Sequence, residues 1–170
     1  MIEQNRQQIQ KGIYIDDCDY FIPWGAGVNE TMEELGKKMD IEEETYIDQK
    51  ETHRLYRICS KMFNSNMNFT IHLNFQDSIF TGVLLYKNWT KEDEHKSYSS
   101  IFKETQSVLK AKYGRPKFSL ETLFSYGTYE PQRRWKIGNI EMKHYFKVYN
   151  FGEDDIISID IIPEKMASIM

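Results

Sequence analysis

The chain is poor in the residues that usually carry chemistry. It has two cysteines in 170 residues, Cys18 and Cys59, and neither stands in a CxxC pair or a Cys/His cluster. That excludes a disulfide scaffold and the usual structural zinc patterns, and it fits a reducing compartment. Long apolar runs are missing too, so nothing reaches the roughly 20 residues that span a bilayer. The first six residues, Met1-Ile2-Glu3-Gln4-Asn5-Arg6, have no apolar core of the signal-peptide kind. A cytoplasmic protein without a membrane segment is expected. Positive charge is in deficit, with 22 Lys and Arg against 26 Asp and Glu and a net charge of −4. This balance weighs against a general nucleic-acid or anionic-membrane binder. The deficit lies in residues 1–85, which carry 8 Lys/Arg and 14 Asp/Glu; residues 86–170 carry 14 and 12.

Catalytic signatures are also lacking. There is no GxSxG, GxGxxG or GxxxxGK[ST]. His53, His72, His95 and His144 never pair at i,i+2 or i,i+4, the spacings that bring two imidazoles to one metal. Asp16-Asp17-Cys18-Asp19 and Glu153-Asp154-Asp155 lack the spacing of a calcium loop. Gly25-Ala26-Gly27 precedes a predicted helix. It reads as a turn rather than an anion site, because Glu30, Glu33 and Glu34 crowd the end where an anion would sit. No metal, cofactor or catalytic residue is expected, and the balance favours a non-catalytic protein.

What is present is strand pattern. In residues 67–75, Met67, Phe69, Ile71, Leu73 and Phe75 alternate with Asn68, Thr70, His72 and Asn74, the period of a strand with one buried and one wet face. Strands are also expected over 53–63, 79–86 (with Gly82 as a bulge), 122–129, 133–137, 140–149 and 156–162, with a short one near 46–48. Gly138-Asn139 is a two-residue hairpin signal. A helix is expected over 29–38 with Asn29 as its cap, and a second over 97–113 closed by Gly114 and stopped by Pro116. Residues 1–12 are expected to fray. Short connections imply antiparallel neighbours. The fold expected is α+β: a two-layer sandwich of an antiparallel sheet with two main helices on one face. It forms a single domain over 1–170, open to division into αβββ halves at 21–96 and 97–163.

The two helix ends carry a resemblance. Gly27 with Met32-Glu33-Glu34-Leu35-Gly36, and Leu109 with Tyr113-Gly114-Arg115-Pro116, are similar to the helix-ending signature of small bacterial αβββ domains. These include the outer-membrane assembly lipoproteins of the SmpA/OmlA type; the β-lactamase inhibitory proteins look alike in layout. The chain departs from them in having no lipobox cysteine and no paired cysteines. The resemblance implies a sheet whose open face holds another protein. Bacterial immunity proteins share the class.

Three functions follow as expectations. The first is a protein-binding module, of the immunity or inhibitor kind, that occludes a partner protein. Its sheet face would carry Tyr126, Tyr129, Trp135, Tyr145 and Tyr149, rimmed by Arg133 and Arg134, since Tyr, Trp and Arg dominate protein–protein hot spots. The second is a small-molecule site or enzyme with a pocket between sheet and helices and His144 at its wall. For His144 itself, a satisfied core histidine is the simpler expectation. The third is a nucleic-acid binder using Arg115, Lys117, Arg133, Arg134 and Lys136 beside aromatics. The oligomeric state and the partner's identity are not legible.

Overall fold

A computed structural model describes residues 1–48, 51–117, 133–147 and 156–164. The first dozen residues correct the expectation of fraying. Ile2–Ile9 forms α1, which buries Ile9 and docks on a later helix through Asn5 Nδ2, donating to Lys112 O at 3.2 Å. Trp24 Nε1 donates to Ile9 O at 2.7 Å and holds the far end. Two anchors of this kind stabilise a helix that is too short to persist alone in water.

Gly12–Ile15 (β1) and Tyr20–Pro23 (β2) pair as a hairpin. Gly12 is required there, because a Cβ would lie 2.1 Å from Ile22 O. The acidic turn of this hairpin clamps the end of β4 and the turn after it. Asp17 Oδ2 accepts from Lys61 N at 2.8 Å, and Asp16 Oδ2 accepts from Asn64 N at 2.6 Å. Helix α2 runs Val28–Gly36 with Gly27 at its cap, two residues earlier than the expected cap Asn29. The backbone N–H groups of Gly25 and Val28 donate to Phe80 O and Ser78 O, so the glycine-rich entry ties the helix to a strand.

The main sheet is built from Glu42–Asp48 (β3), Glu51–Lys61 (β4), Asn68–Gln76 (β5), Ile79–Lys87 (β6), Arg133–Ile137 (β7), Ile140–Lys147 (β8) and Ile156–Pro163 (β9). Its order is β3-β4-β5-β6-β9-β8-β7, with every pair antiparallel. Two meanders, β4-β5-β6 and β7-β8-β9, thus meet at their last strands. The strand expected over 122–129 lies outside the described residues. Helix α3, Tyr98–Tyr113, enters from a 3₁₀ turn at Lys91–Asp93. That turn is fixed by Asp93, whose Oδ2 accepts from Lys87 Nζ at 3.0 Å and Thr90 Oγ1 at 2.8 Å. Burial alone would raise the Asp93 carboxyl; the Lys87 and Thr90 bonds overcome it and hold the group below the usual carboxylate range.

Ser97 caps α3, its Oγ accepting from Ser100 N at 3.2 Å, and Gly114 closes it at φ 83°. Ser97→Ala should cost about 1 kcal/mol through loss of that cap. For a chain of this size that is about 2–4 °C in melting temperature by circular dichroism. An unshifted melt would show that α3 is held by packing alone.

Register sorts the sheet into two faces. Tyr56, Leu73, Val83, Ile161, Met142 and Trp135 form one in-register row across six strands, and all are at most 6% exposed. Ile9, Ile15, Ile22, Leu35, Leu109 and Tyr113 from the hairpin and the three helices join the same core cluster. Each such burial contributes about 1.5–3 kcal/mol. The architecture is the α+β sandwich that the pattern predicts, with three α-helices among the described residues instead of two in its helical layer.

Candidate functional site

The opposite face is built from the alternate residues of the same strands. One in-register row reads Arg57, His72, Leu84, Asp160, Lys143 and Arg134; the next reads Cys59, Thr70, Tyr86, Ser158 and Tyr145. Apart from Ser158, these side chains are half-buried or exposed, and no described helix covers them. His72 and Tyr86 meet edge to face with ring centroids 5.0 Å apart. Burial pushes the His72 imidazole below its usual range, so the neutral ring sits against Tyr86 at physiological pH. Arg57 donates through Nε and an Nη to Glu42 Oε2 from the neighbouring edge strand. Tyr145 and Asp160 approach to 3.5 Å.

A cavity of about 260 Å³ opens on this face where β5 and β6 shift register between Asn74 and Phe75. His53, Asn74, Gln76, Gly82, Leu84 and Asp160 line it. The shift leaves Thr81 as the extra residue, its Oγ1 donating to Asn74 O at 3.2 Å. Gly82, next to it, is where the sequence pattern placed a bulge. Burial pushes the Asp160 carboxyl up, while Lys143 and the Tyr145 hydroxyl oppose the shift.

The expected site residues divide. Tyr145 lies on the open face, and Arg134 lies there in register with Lys143. Arg133 pairs with His144 and so belongs to the helix-covered side. Tyr126, Tyr129 and Tyr149 lie outside the described residues. Trp135 is a correction: it is 2% exposed in the core, and its Nε1 donates to Gly114 O at 2.7 Å. It shares Met142's face because the two-residue turn at Gly138-Asn139 sets 137 against 140 and therefore 135 against 142.

His144 is a second correction, to its expectation as a satisfied core histidine. It is 0% exposed and lies flat on Phe102 with centroids 4.2 Å apart, at the wall of no described cavity. Among the described residues neither ring nitrogen has a hydrogen-bond partner, so it is a core histidine without the satisfied nitrogens expected of one. A small cavity between α1, β1 and the end of α3, lined by Asn5, Gln8, Tyr14 and Lys112, holds about 20 Å³, room for one water. Of the basic set, Lys117 N donates to Arg134 O at 2.7 Å, which brings 115–117 to the outer edge of β7. Lys136 is paired with Glu164 at 2.6 Å.

Among the described residues no group of three or more His, Cys, Asp and Glu could hold a metal ion, and no helix is long and apolar enough to cross a membrane. No protein-family model, curated protein or solved structure matches the chain.

Proposed function

We propose that this protein is a protein-binding module, of the immunity or inhibitor kind, that occludes its partner with the open face of the seven-stranded sheet. One observation supports the reading. All three described helices and the hairpin pack on one face, and the other presents His72, Leu84, Tyr86 and Tyr145 in adjoining rows with charged neighbours. Half-buried aromatics within a polar surround match the composition of interface cores, where charge is depleted and Tyr and Arg are enriched. Of the expected aromatic patch this reading keeps Tyr145 on β8, drops Trp135, and adds His72 on β5 and Tyr86 on β6.

The test is capture of partners from the source organism's lysate on the immobilised full chain, followed by calorimetry with the partner so identified. Tyr86→Ala with Tyr145→Ala should weaken that complex by at least 2 kcal/mol, about thirtyfold, as expected of hot-spot residues. Unchanged affinity in a folded double variant would remove this face from the interface.

A further inference from the structure

The cavity on the open face has a chemistry of its own. Its volume, about 260 Å³, is below the roughly 300–1,000 Å³ of small-molecule and cofactor sites. It is therefore sized for a single side chain. The row through its floor runs Glu44, Leu55, Asn74 and Gly82, and the absent side chain at Gly82 leaves the floor open. The charges around it are unequal. Arg57 is spent on Glu42, and Lys143 sits 3.4 Å from Glu141. Arg54 reaches the rim but bonds to Tyr56, which belongs to the helix-covered face. Asp160 and Glu44 are left, neither with a cation within salt-bridge distance among the described residues. Among the described residues the one hydrogen-bonding contact to Asp160 is the long one from the Tyr145 hydroxyl.

We propose that this cavity is a socket for one arginine side chain of the bound protein, with Asp160 as its counter-ion. The proposal rests on the reading of the open face as a docking surface. A planar guanidinium can meet the Asp160 carboxylate with two parallel bonds and still reach the Asn74 side chain, which a lysine ammonium does less well. Leu84 and Ile162 offer apolar wall for the arginine's methylene stem. Exposed Glu44 on the edge strand, in the row that runs through Leu55 and Asn74 to Gly82, adds negative potential on this side for a basic partner.

The experiment titrates acetyl-arginine amide into the isotopically labelled full chain and follows backbone amide shifts by NMR. Shifts are expected at Gly82, Leu84 and Asp160, with affinity about tenfold or more weaker in Asp160→Asn, since bonds to a charged group contribute about 1.5–3 kcal/mol. Gly82→Ala, which narrows the socket from its floor, should weaken binding in the same direction and serves if Asp160→Asn does not fold. Acetyl-citrulline amide, the neutral isostere, should leave these amides unmoved. The proposal is overturned by absent shifts, by equal response to citrulline, by undiminished binding in both variants, or by calcium chloride reproducing the pattern. The titration needs no protein partner, which separates the two readings. Failure here with weakened partner binding in the Tyr86/Tyr145 variant removes the socket alone. Success here with unchanged partner binding removes the docking surface, and with it the protein source of the arginine.

Discussion

Trp135→Ala should cost about 3–5 kcal/mol of stability, the range for deleting a buried Trp or Phe side chain. Its indole is 2% exposed in an in-register row running through Met142 and Ile161, and its Nε1–H is bonded to Gly114 O, the residue that closes α3. Truncation therefore leaves a cavity in the sheet's covered face and also unpairs a carbonyl at the helix end. Against a total stability of about 5–15 kcal/mol, the loss is large. Urea unfolding followed by far-ultraviolet circular dichroism measures it without depending on tryptophan fluorescence. Trp135→Phe, which keeps most of the packing and loses only the bond, should cost about 1–2 kcal/mol. The contrast is Tyr145→Ala on the open face, which should change stability by less than about 1 kcal/mol while reducing partner binding. If Trp135→Ala unfolds within 0.5 kcal/mol of the parent, the assignment of β7 to the core is wrong.

That contrast locates what the sequence could and could not disclose. Strand existence was legible wherever alternation was strong, as in β5, where Phe69, Ile71, Leu73 and Phe75 are all at most 1% exposed. The sidedness of Trp135 was legible too, through the Gly138-Asn139 turn, but only once the register was counted across it. In β4 the alternation of Tyr56, Ile58 and Ser60 is clear in the structure and obscured in the sequence, because Ser60 is a polar residue on the buried side and Leu55 an apolar one on the open side. Helix α1 was hidden for a different reason. Its stability comes from Asn5 and from Trp24, bonds to distant parts of the chain that no local pattern records. The cavity was the least legible feature. It depends on a register shift between β5 and β6 and on β9 arriving beside β6 from more than 60 positions further along the chain. Gly82 was the one local signal pointing to it.

His144→Leu should stabilise the protein, and increasingly so in acid. At neutral pH the imidazole is buried, both nitrogens without a partner among the described residues, flat against Phe102 of α3 and in register with Arg133. An apolar side chain of similar volume removes that desolvation cost, a gain of about 1–3 kcal/mol. The acid effect follows from linkage. Burial, reinforced by the Arg133 charge, pushes the His144 pKa down from 6.5 to about 3. Folding therefore opposes protonation. The stability associated with the neutral ring is fully present above the unfolded value near 6.5 and is lost as pH falls from there toward 3. The loss is about 1.4 kcal/mol per pH unit in that window, so about 3 kcal/mol is gone by pH 4.5. In the Leu variant this component vanishes, while the contributions of Asp93, Asp160 and His72 remain in both proteins and cancel in the difference. Urea midpoints measured at pH 7, 6, 5 and 4.5 should give curves that diverge below pH 6.5. Parallel curves would mean that the ring is hydrated or partnered in solution, and that the seam between α3 and β8 is looser than its stacked geometry implies.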